Sequence, residues 1–237
     1  MRKNIIATIA LLLFQIAFIG ATSETPASPQ KSPYPKMAPL DRYLIADQSA
    51  EVKLARTAAP SSISDNADVM VLGRAGYTTA VKGKNGFVCI VERAWADPTD
   101  DPGFWNPALR APICFNAAAA QTFVPIYLMK TKLVLAGKSP DEVLKATDLA
   151  FSRHELPTLA PGAMCYMLSK QQYLGDRDKG WHPHVMFFAP FDAARSWGAN
   201  LPGSPVIAAD DPQERATIFM VVVHQWSDGT PAPMTSH

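Results

Sequence analysis

The chain has few cysteines, almost no net charge and no cysteine redox motif. Its 237 residues include three cysteines, and none of them forms CxxC or CxxCH. This excludes a thioredoxin-like redox motif and a covalent c-type haem attachment. The 22 basic and 21 acidic residues nearly balance and form no basic stripe. The sequence therefore predicts no binding to nucleic acid and no electrostatic attraction to an anionic membrane.

The motifs of several large enzyme classes are also missing. There is no phosphate-binding loop, no dinucleotide fingerprint and no G-x-S-x-G, since residues 202–205 read PGSP, with prolines where a strand-to-helix elbow would be. His154-Glu155 begins an H-E-x-x-H pattern, but Pro157 ends the helix that such a motif needs. Cys165 is a poor nucleophile because no helix begins after it to lower its pKa. Whether the protein is an enzyme stays open.

One long hydrophobic run is present, and it lies at the beginning of the chain. Arg2 and Lys3 precede residues 5–19, which are apolar except for two polar side chains, and small residues follow. This pattern is typical of a secretory signal peptide at residues 1–23, cleaved after Ser23 or, as the alternative, after Ala21. The run is shorter than the roughly 20 apolar residues that span a bilayer.

Cleavage would leave a nearly neutral chain of about 214 residues. Loss of the two basic residues leaves 20 basic and 21 acidic side chains, a formal net charge of −1. We expect an exported soluble protein, periplasmic or extracellular, without a membrane span in the mature chain. We expect a proline- and serine-rich disordered tether at 24–39, a single globular domain at 40–230 and a frayed tail at 231–237.

Three cysteines in an oxidising compartment leave three possible pairings. Cys89 lies inside an apolar run and is typical of a small buried side chain. Cys114 and Cys165 lie near the ends of predicted elements. We therefore favour a Cys114–Cys165 bridge, with the other pairings and three free thiols left open.

The periodicity of the first half predicts a helix and a three-stranded meander. Asp41 can cap a helix over residues 41–57. Strands are expected at 68–72, 77–82 and 87–95. The sequence GKNG at 83–86 favours a hairpin turn between the last two, because Asn-Gly accepts the positive φ values of tight turns.

The second half alternates between helices and strands less regularly. Asn116 can cap a helix that ends at Gly137, and Pro125 inside it should kink or split it. Ser139 with Glu142 forms a capping box for the next helix. The remaining predicted elements are a loop at 97–112, strands at 163–173, 181–189 and 217–226, and an irregular segment at 191–212. The order predicts an α+β fold, a single domain with a mainly antiparallel sheet and about three helices packed against one side of it.

The stretch GWHPHVMFFAP at 180–190 carries the candidate site. In a strand, His182 and His184 share one face, and two imidazoles at this spacing can bind one metal ion. Pro183 places this part of the chain at a sheet edge, a strand start or a bulge. The alternative is that both imidazoles simply bond to backbone or water.

A metal site needs a third ligand. His224, near the end of the last predicted strand, is the first candidate, and His154 and Glu155 are the alternates. Three histidines with an open position suit zinc and hydrolysis, with Glu155 as the acid or base. Sulfur from the methionines and cysteine at 164–167 would favour copper instead.

Three functions remain open at this stage. The first is a non-catalytic small-ligand or metal-binding protein, which needs a concave pocket. The second is a metal-dependent hydrolase that uses His182, His184 and His224. The third is an envelope-associated structural or interaction protein, which needs an exposed apolar patch.

Overall fold

The structure, a computed structural model, describes residues 32–176, 182–204 and 206–233. The predicted signal peptide and most of the predicted tether lie outside this range. The described chain forms one sheet of eight strands in the order β2-β1-β3-β4-β5-β6-β8-β7. The strands are β1 Asp68–Gly73, β2 Gly76–Val81, β3 Val88–Glu92, β4 Ala111–Phe115, β5 Met164–Met167, β6 His184–Pro190, β7 Ile207–Asp211 and β8 Ala216–Val222. The α-helices are α1 Gln48–Arg56, α2 Ser61–Ser64, α3 Ala117–Leu135 and α4 Pro140–Ser152.

Neighbouring strands run antiparallel except for β1 and β3, which pair parallel. The predicted α+β class with a mainly antiparallel sheet is therefore confirmed. Within the described part of the chain, no helix is long and apolar enough to cross a membrane.

The helices cover both faces of the sheet, whereas the sequence predicted one. Successive side chains of a strand point to opposite faces. In β3, Ile90 packs with α3, while its neighbours Cys89 and Val91 pack with α1. The short apolar run of β3 is thus buried on both faces. A run that is apolar on both faces does not show which helix packs on which face, so the sequence did not predict the second layer of helices.

Helices α3 and α4 begin where the sequence predicted. Asn116 Oδ1 accepts a hydrogen bond from Ala119 N at 2.9 Å, and Pro125 lies inside the continuous helix that follows. Ser139 and Glu142 bond reciprocally to each other's backbone N–H, so the predicted capping box is confirmed.

The first helix begins later than expected. Asp47, not Asp41, caps α1, since its carboxylate accepts from Ser49 N at 2.8 Å. Asp41 lies instead in a single 3₁₀ turn and pairs with Arg74. Asp41 and Asp47 both precede the helix and both have the side chain of a capping residue, so propensity alone did not determine which aspartate would cap it.

The predicted three-stranded meander is wrong. β1 lies between β2 and β3, so the turn at 83–86 crosses the beginning of β1 and does not form a hairpin. The turn is anchored there by Gly83 N, which donates to Asp68 Oδ1 at 2.6 Å, and by Lys84 N, which donates to Asn66 O at 2.7 Å. The turn residues bond to residues 66–68 and leave β3 free to pair with β1 in parallel.

Two strands were missed. β4 occupies the last two residues of the predicted 97–112 loop and the three residues after it. Pro112 of β4 pairs with Val91 of β3, whereas β5 pairs with β4 only at Cys114 and Phe115. A missing backbone donor is tolerated there. β7, at the sheet edge, lies within the segment predicted as irregular. The strands β5, β6 and β8 are present but shorter than predicted.

The disulfide links Cys89 to Cys114, and the favoured Cys114–Cys165 pairing is wrong. The two cysteines lie directly opposite each other in the antiparallel β3–β4 ladder, with Cα atoms 4.0 Å apart. Cys165 is a free, buried thiol on the other face of the sheet. Sequence separation did not reveal this pairing because β4 itself was not predicted.

The described ends of the domain contact its body. Tyr34 and Met37, from the part of the expected tether that the structure describes, pack against a core cluster around Trp95 and Trp105. At the other end, Ala232 N donates to the carbonyl of His224 at 2.9 Å. Residues 32–39 and 231–233 thus contribute contacts to the folded unit.

Candidate functional site

The structure places the predicted histidines at one end of strands β6 and β8. His184 is the first residue of β6, so Pro183 precedes a strand start, one of the three predicted positions. His184 pairs with Val222, and Val223 N donates to Pro183 O at 2.9 Å. Continuing this register places the backbone of His182 opposite that of exposed His224.

The chemistry of this histidine group favours ordinary structural bonding. Nδ1 of His184 lies 2.9 Å from the carbonyl oxygen of His182. His184 is buried, and burial lowers the pKa of its imidazole. No group of three or more metal-ligating side chains is found among the described residues. Zinc or copper binding by His182, His184 and His224 stays a prediction.

The alternate ligands lie at the end of a different element. His154 and Glu155 follow α4, where His154 adopts a positive φ of 58°. Glu155 is exposed and lies 4.0 Å from Arg153. The described contacts of Glu155 are therefore local, and its proposed role as an acid or base has no further support.

A cleft lies between α1, the segment that leads into it, and the β1–β2 hairpin. Its volume is about 610 Å³, within the range of small-molecule sites. Aliphatic side chains, polar side chains and one ion pair share its lining. The lining residues are Asp41, Leu44, Ile45, Ala46, Gln48, Glu51, Val71, Leu72, Gly73, Arg74 and Thr78.

Glu51 gives this cleft a buried carboxylate. It lies in the first turn of α1 and is 1 % exposed. Its Oε1 atom accepts hydrogen bonds from Leu72 N at 3.1 Å and from Arg93 Nη2 at 2.9 Å. Its Oε2 atom accepts none from the described part of the chain. A carboxylate can accept about four bonds, so Glu51 retains acceptor capacity.

The Arg93 guanidinium balances this charge and fixes its position. Arg93 is fully buried, and its Nε donates to the Tyr43 carbonyl at 2.7 Å, while Nη1 donates to the Val91 carbonyl. The Tyr43 hydroxyl donates in turn to the Trp105 carbonyl at 2.9 Å. The floor of the cleft is thus tied to the sheet and to the loop after β3.

The rim of the cleft carries a solvent-exposed ion pair. Arg74, in the turn between β1 and β2, bonds to Asp41, and about 70 % of each side chain is exposed. Exposed pairs of this kind contribute little to stability, typically below about 1 kcal/mol. Arg74 and Asp41 can therefore exchange their bond for contacts with a bound molecule at small cost.

A second group of buried polar side chains lies under α3. Glu92, at the end of β3, and Glu214, in the turn between β7 and β8, are each 8 % exposed. Burial, followed by the charge of Glu214, raises the pKa of Glu92 well above its usual value. Burial, followed by the charge of Asp211, raises the pKa of Glu214 to about 7. Lys130 and Tyr127 of α3 oppose both shifts.

A third feature is an apolar surface at the β6–β8–β7 side of the sheet. Seven of the eight large exposed hydrophobic side chains of the described chain lie in β6, β7 and β8 or in the segment between β6 and β7, and Leu149 of α4 is the eighth. Trp197 stacks on Phe219 with ring centroids 4.5 Å apart and is still 62 % exposed. Phe187 and Val221 are exposed on the same face as Phe219, and Trp197 covers that face, so these three side chains form the apolar surface. Ile207 and Val222 are exposed on the opposite face, and Phe191 and Leu201 lie in the segment between β6 and β7.

Sequence reasoning missed both buried carboxylate groups. A glutamate within a short amphipathic helix usually faces solvent, so Glu51 gave no reason for selection. Glu92 and Arg93 carried a weak indication, because two charged residues directly follow the apolar run at 87–91. The aromatic side chains of the 97–112 loop proved to be buried core: Phe104 is 2 % exposed and Trp105 is 8 % exposed.

Comparison with protein-family models, curated proteins and solved structures finds no match to this chain.

Proposed function

We propose that the protein binds a small molecule in the cleft between α1 and the β1–β2 hairpin. The observation that carries the proposal is the buried Glu51 carboxylate in the lining, with Oε2 free of hydrogen bonds from the described chain. Small-ligand sites typically combine an apolar lining with a few fixed polar groups. The predicted export would place this cleft outside the cytoplasm.

The lining defines the class of ligand. Leu44, Ile45 and Val71 supply an apolar wall, so the ligand has an apolar body. Glu51 supplies an acceptor whose charge Arg93 already balances, so a neutral hydroxyl or an amine of the ligand can donate to it. The class is therefore a small alcohol or amine with an aliphatic or aromatic body.

Pre-organisation supports recognition at this position. The Glu51–Arg93 pair is held by backbone groups of Leu72, Tyr43 and Val91. A ligand that reaches Glu51 meets a carboxylate whose side-chain entropy has already been lost on folding, which reduces the cost of binding.

The proposal is tested by blocking the cleft without disturbing its floor. Thr78 lines the cleft and is exposed on β2, and Thr79 is its exposed neighbour on the opposite face of that strand. A library of small alcohols and amines is screened by thermal shift against the parent, Thr78→Trp and Thr79→Trp. A ligand at 100 times its Kd stabilises the parent by about 2.7 kcal/mol.

We expect Thr78→Trp to abolish the shift and Thr79→Trp to retain it. Equal shifts in both variants would place the ligand elsewhere. No binder for the parent in either chemical class would refute the proposal.

The apolar surface supports a second candidate, an envelope-associated interaction protein. Monomeric soluble proteins rarely expose large contiguous apolar patches, and such patches mark interaction sites. Replacing Trp197 and Val221 with serine tests it by light scattering and by binding to envelope fractions. Loss of self-association or envelope binding in the double variant would support this candidate, and unchanged behaviour would contradict it.

A further inference from the structure

Two buried carboxyl groups from distant parts of the chain interact under helix α3. Glu92 ends β3, and Glu214 lies in the β7–β8 turn, here defined as residues 212–215. Both residues are more than nine-tenths buried. Within the part of the chain that the structure describes, Glu92 Oε1 has no hydrogen-bond partner. A buried carboxylate oxygen without a partner is costly when charged, which favours a protonated Glu92.

The groups that face this pair supply more negative than positive charge. Lys130 provides an ammonium group, but its Nζ donates at 2.8 Å to the carbonyls of Ala96 and Asp97 and bonds to neither glutamate. The titratable and charged groups around the pair are Asp97 after β3, Tyr127 and Lys130 of α3, Cys165 of β5 and Asp211 of β7.

Besides this pair, the described contacts that dock the β7–β8 turn involve Gln213 and Arg215. Gln213 accepts a bond from Thr99 N at 3.0 Å and donates to Asp100 at 3.1 Å. The guanidinium of Arg215 lies 4.5 Å from the centre of the Phe151 ring. Arg215 also adopts a positive φ of 56°, a conformation that costs a non-glycine residue energy.

We propose that the β7–β8 turn is a proton-linked latch: it stays docked while the buried Glu92–Glu214 pair retains its protons, and its release frees a proton from Glu214. In the open state Glu214 is solvated and ionises as an ordinary glutamate. In the docked state it remains protonated, because burial and Asp211 oppose its negative charge. A falling proton concentration therefore favours opening.

The direction and range of the effect follow from this linkage. Glu214 changes from a pKa of about 7 when docked to about 4.3 when solvated. The opening constant therefore rises about 40-fold between pH 5 and pH 7 and becomes nearly constant above about pH 8. An exported protein would experience such changes directly, so the latch would report the acidity of its surroundings.

The test is amide hydrogen exchange of the turn residues at 213–215, corrected for the intrinsic pH dependence of exchange. We expect its protection in the parent to fall by about 40-fold from pH 5 to pH 7. Glu214→Gln keeps the shape and removes the titration, so its protection should be independent of pH. Glu155→Gln, an exposed matched control, should behave as the parent.

A second variant keeps the test decisive if the glutamine disturbs folding. Glu214→Met has a similar volume and no charge, and it should also remove the pH dependence. A parent whose protection does not change with pH would overturn the proposal. The same change of about 40-fold in either Glu214 variant would overturn it too, because the titrating group would then be another residue.

Discussion

Replacing Gly83 with alanine tests the unexpected strand order. The β2–β3 connection crosses the beginning of β1, and Gly83 lies at the crossing. A Cβ atom at Gly83 would lie 2.3 Å from Ala67 C, 2.3 Å from Asn66 O and 2.5 Å from Asp68 N. All three are backbone atoms, so no side-chain rotation can relieve the clash.

The magnitude follows from the contacts that must be lost. Overpacking in a rigid environment costs about 1–3 kcal/mol. Moving the crossing away also weakens the bond from Gly83 N to the Asp68 carboxylate and the bond from Lys84 N to Asn66 O. A hydrogen bond to a charged group contributes about 1.5–3 kcal/mol and a neutral one about 1 kcal/mol. We expect Gly83→Ala to lower the free energy of unfolding by about 3–5 kcal/mol.

The assay is urea unfolding followed by tryptophan fluorescence, with Gly73→Ala as the matched control. Gly73 lies in the same pair of strands, and a Cβ atom there would meet only Gly76 O, at an ordinary 3.7 Å. The control should change the free energy of unfolding by less than about 1 kcal/mol. A Gly83→Ala protein as stable as the control would refute the parallel β1–β3 crossing.

Three further predictions concern the core, the cysteines and the metal hypothesis. Arg93→Met should lower the free energy of unfolding by about 3–5 kcal/mol in the same urea assay, because it leaves the buried Glu51 charge unpaired; a loss below about 1 kcal/mol would contradict this. Peptide mass mapping without reductant should find the Cys89–Cys114 bridge, and any other bridge would contradict the structure. Cys165 should react with maleimide only after unfolding, because its thiol is buried and burial raises its pKa. Elemental analysis of untagged protein tests the metal hypothesis. Stoichiometric zinc or copper that is lost when both histidines of the His-x-His pair become alanine would establish the predicted metal site, and a parent without metal after incubation with zinc and copper would contradict it.

The elements that local chemistry determines could be predicted from the sequence. Asn116 and the Ser139–Glu142 capping box act within one helical turn, so they predicted where α3 and α4 begin. The lack of strand–helix alternation was sufficient for the α+β class. These features depend on residues close together in the chain.

The strand order could not be predicted because non-local contacts determine it. The Asn-Gly pair at 85–86 favours a tight turn, but it does not specify which strands the turn joins. Asp68 and Asn66 decide that by bonding to Gly83 and Lys84. β4 was missed because a proline normally argues against an interior strand, and Pro112 lies where β4 has one partner only.

The cleft around Glu51 and the buried Glu92–Glu214 pair were missed for the same reason, because contacts between distant parts of the chain form them. Glu51 is a buried acceptor only because Arg93, 42 residues later, donates to it. Glu92 and Glu214 are separated by most of the domain and meet only after the sheet has formed. The histidine pair could be recognised because its two members are only two residues apart in the sequence. It lies at the start of β6, whereas β1 and β2, which form the cleft, are at the other end of the strand order.

The most direct test of the proposed function is amide chemical-shift mapping in the ¹⁵N-labelled protein during titration with a mixture of small alcohols and amines. Binding in the cleft predicts saturable shifts at 41–51 and 71–78. The Leu72 amide, which donates to Glu51, should be among the residues that shift most. Saturable shifts confined to β6, β7 and β8, or no saturable shifts at all, would contradict the account.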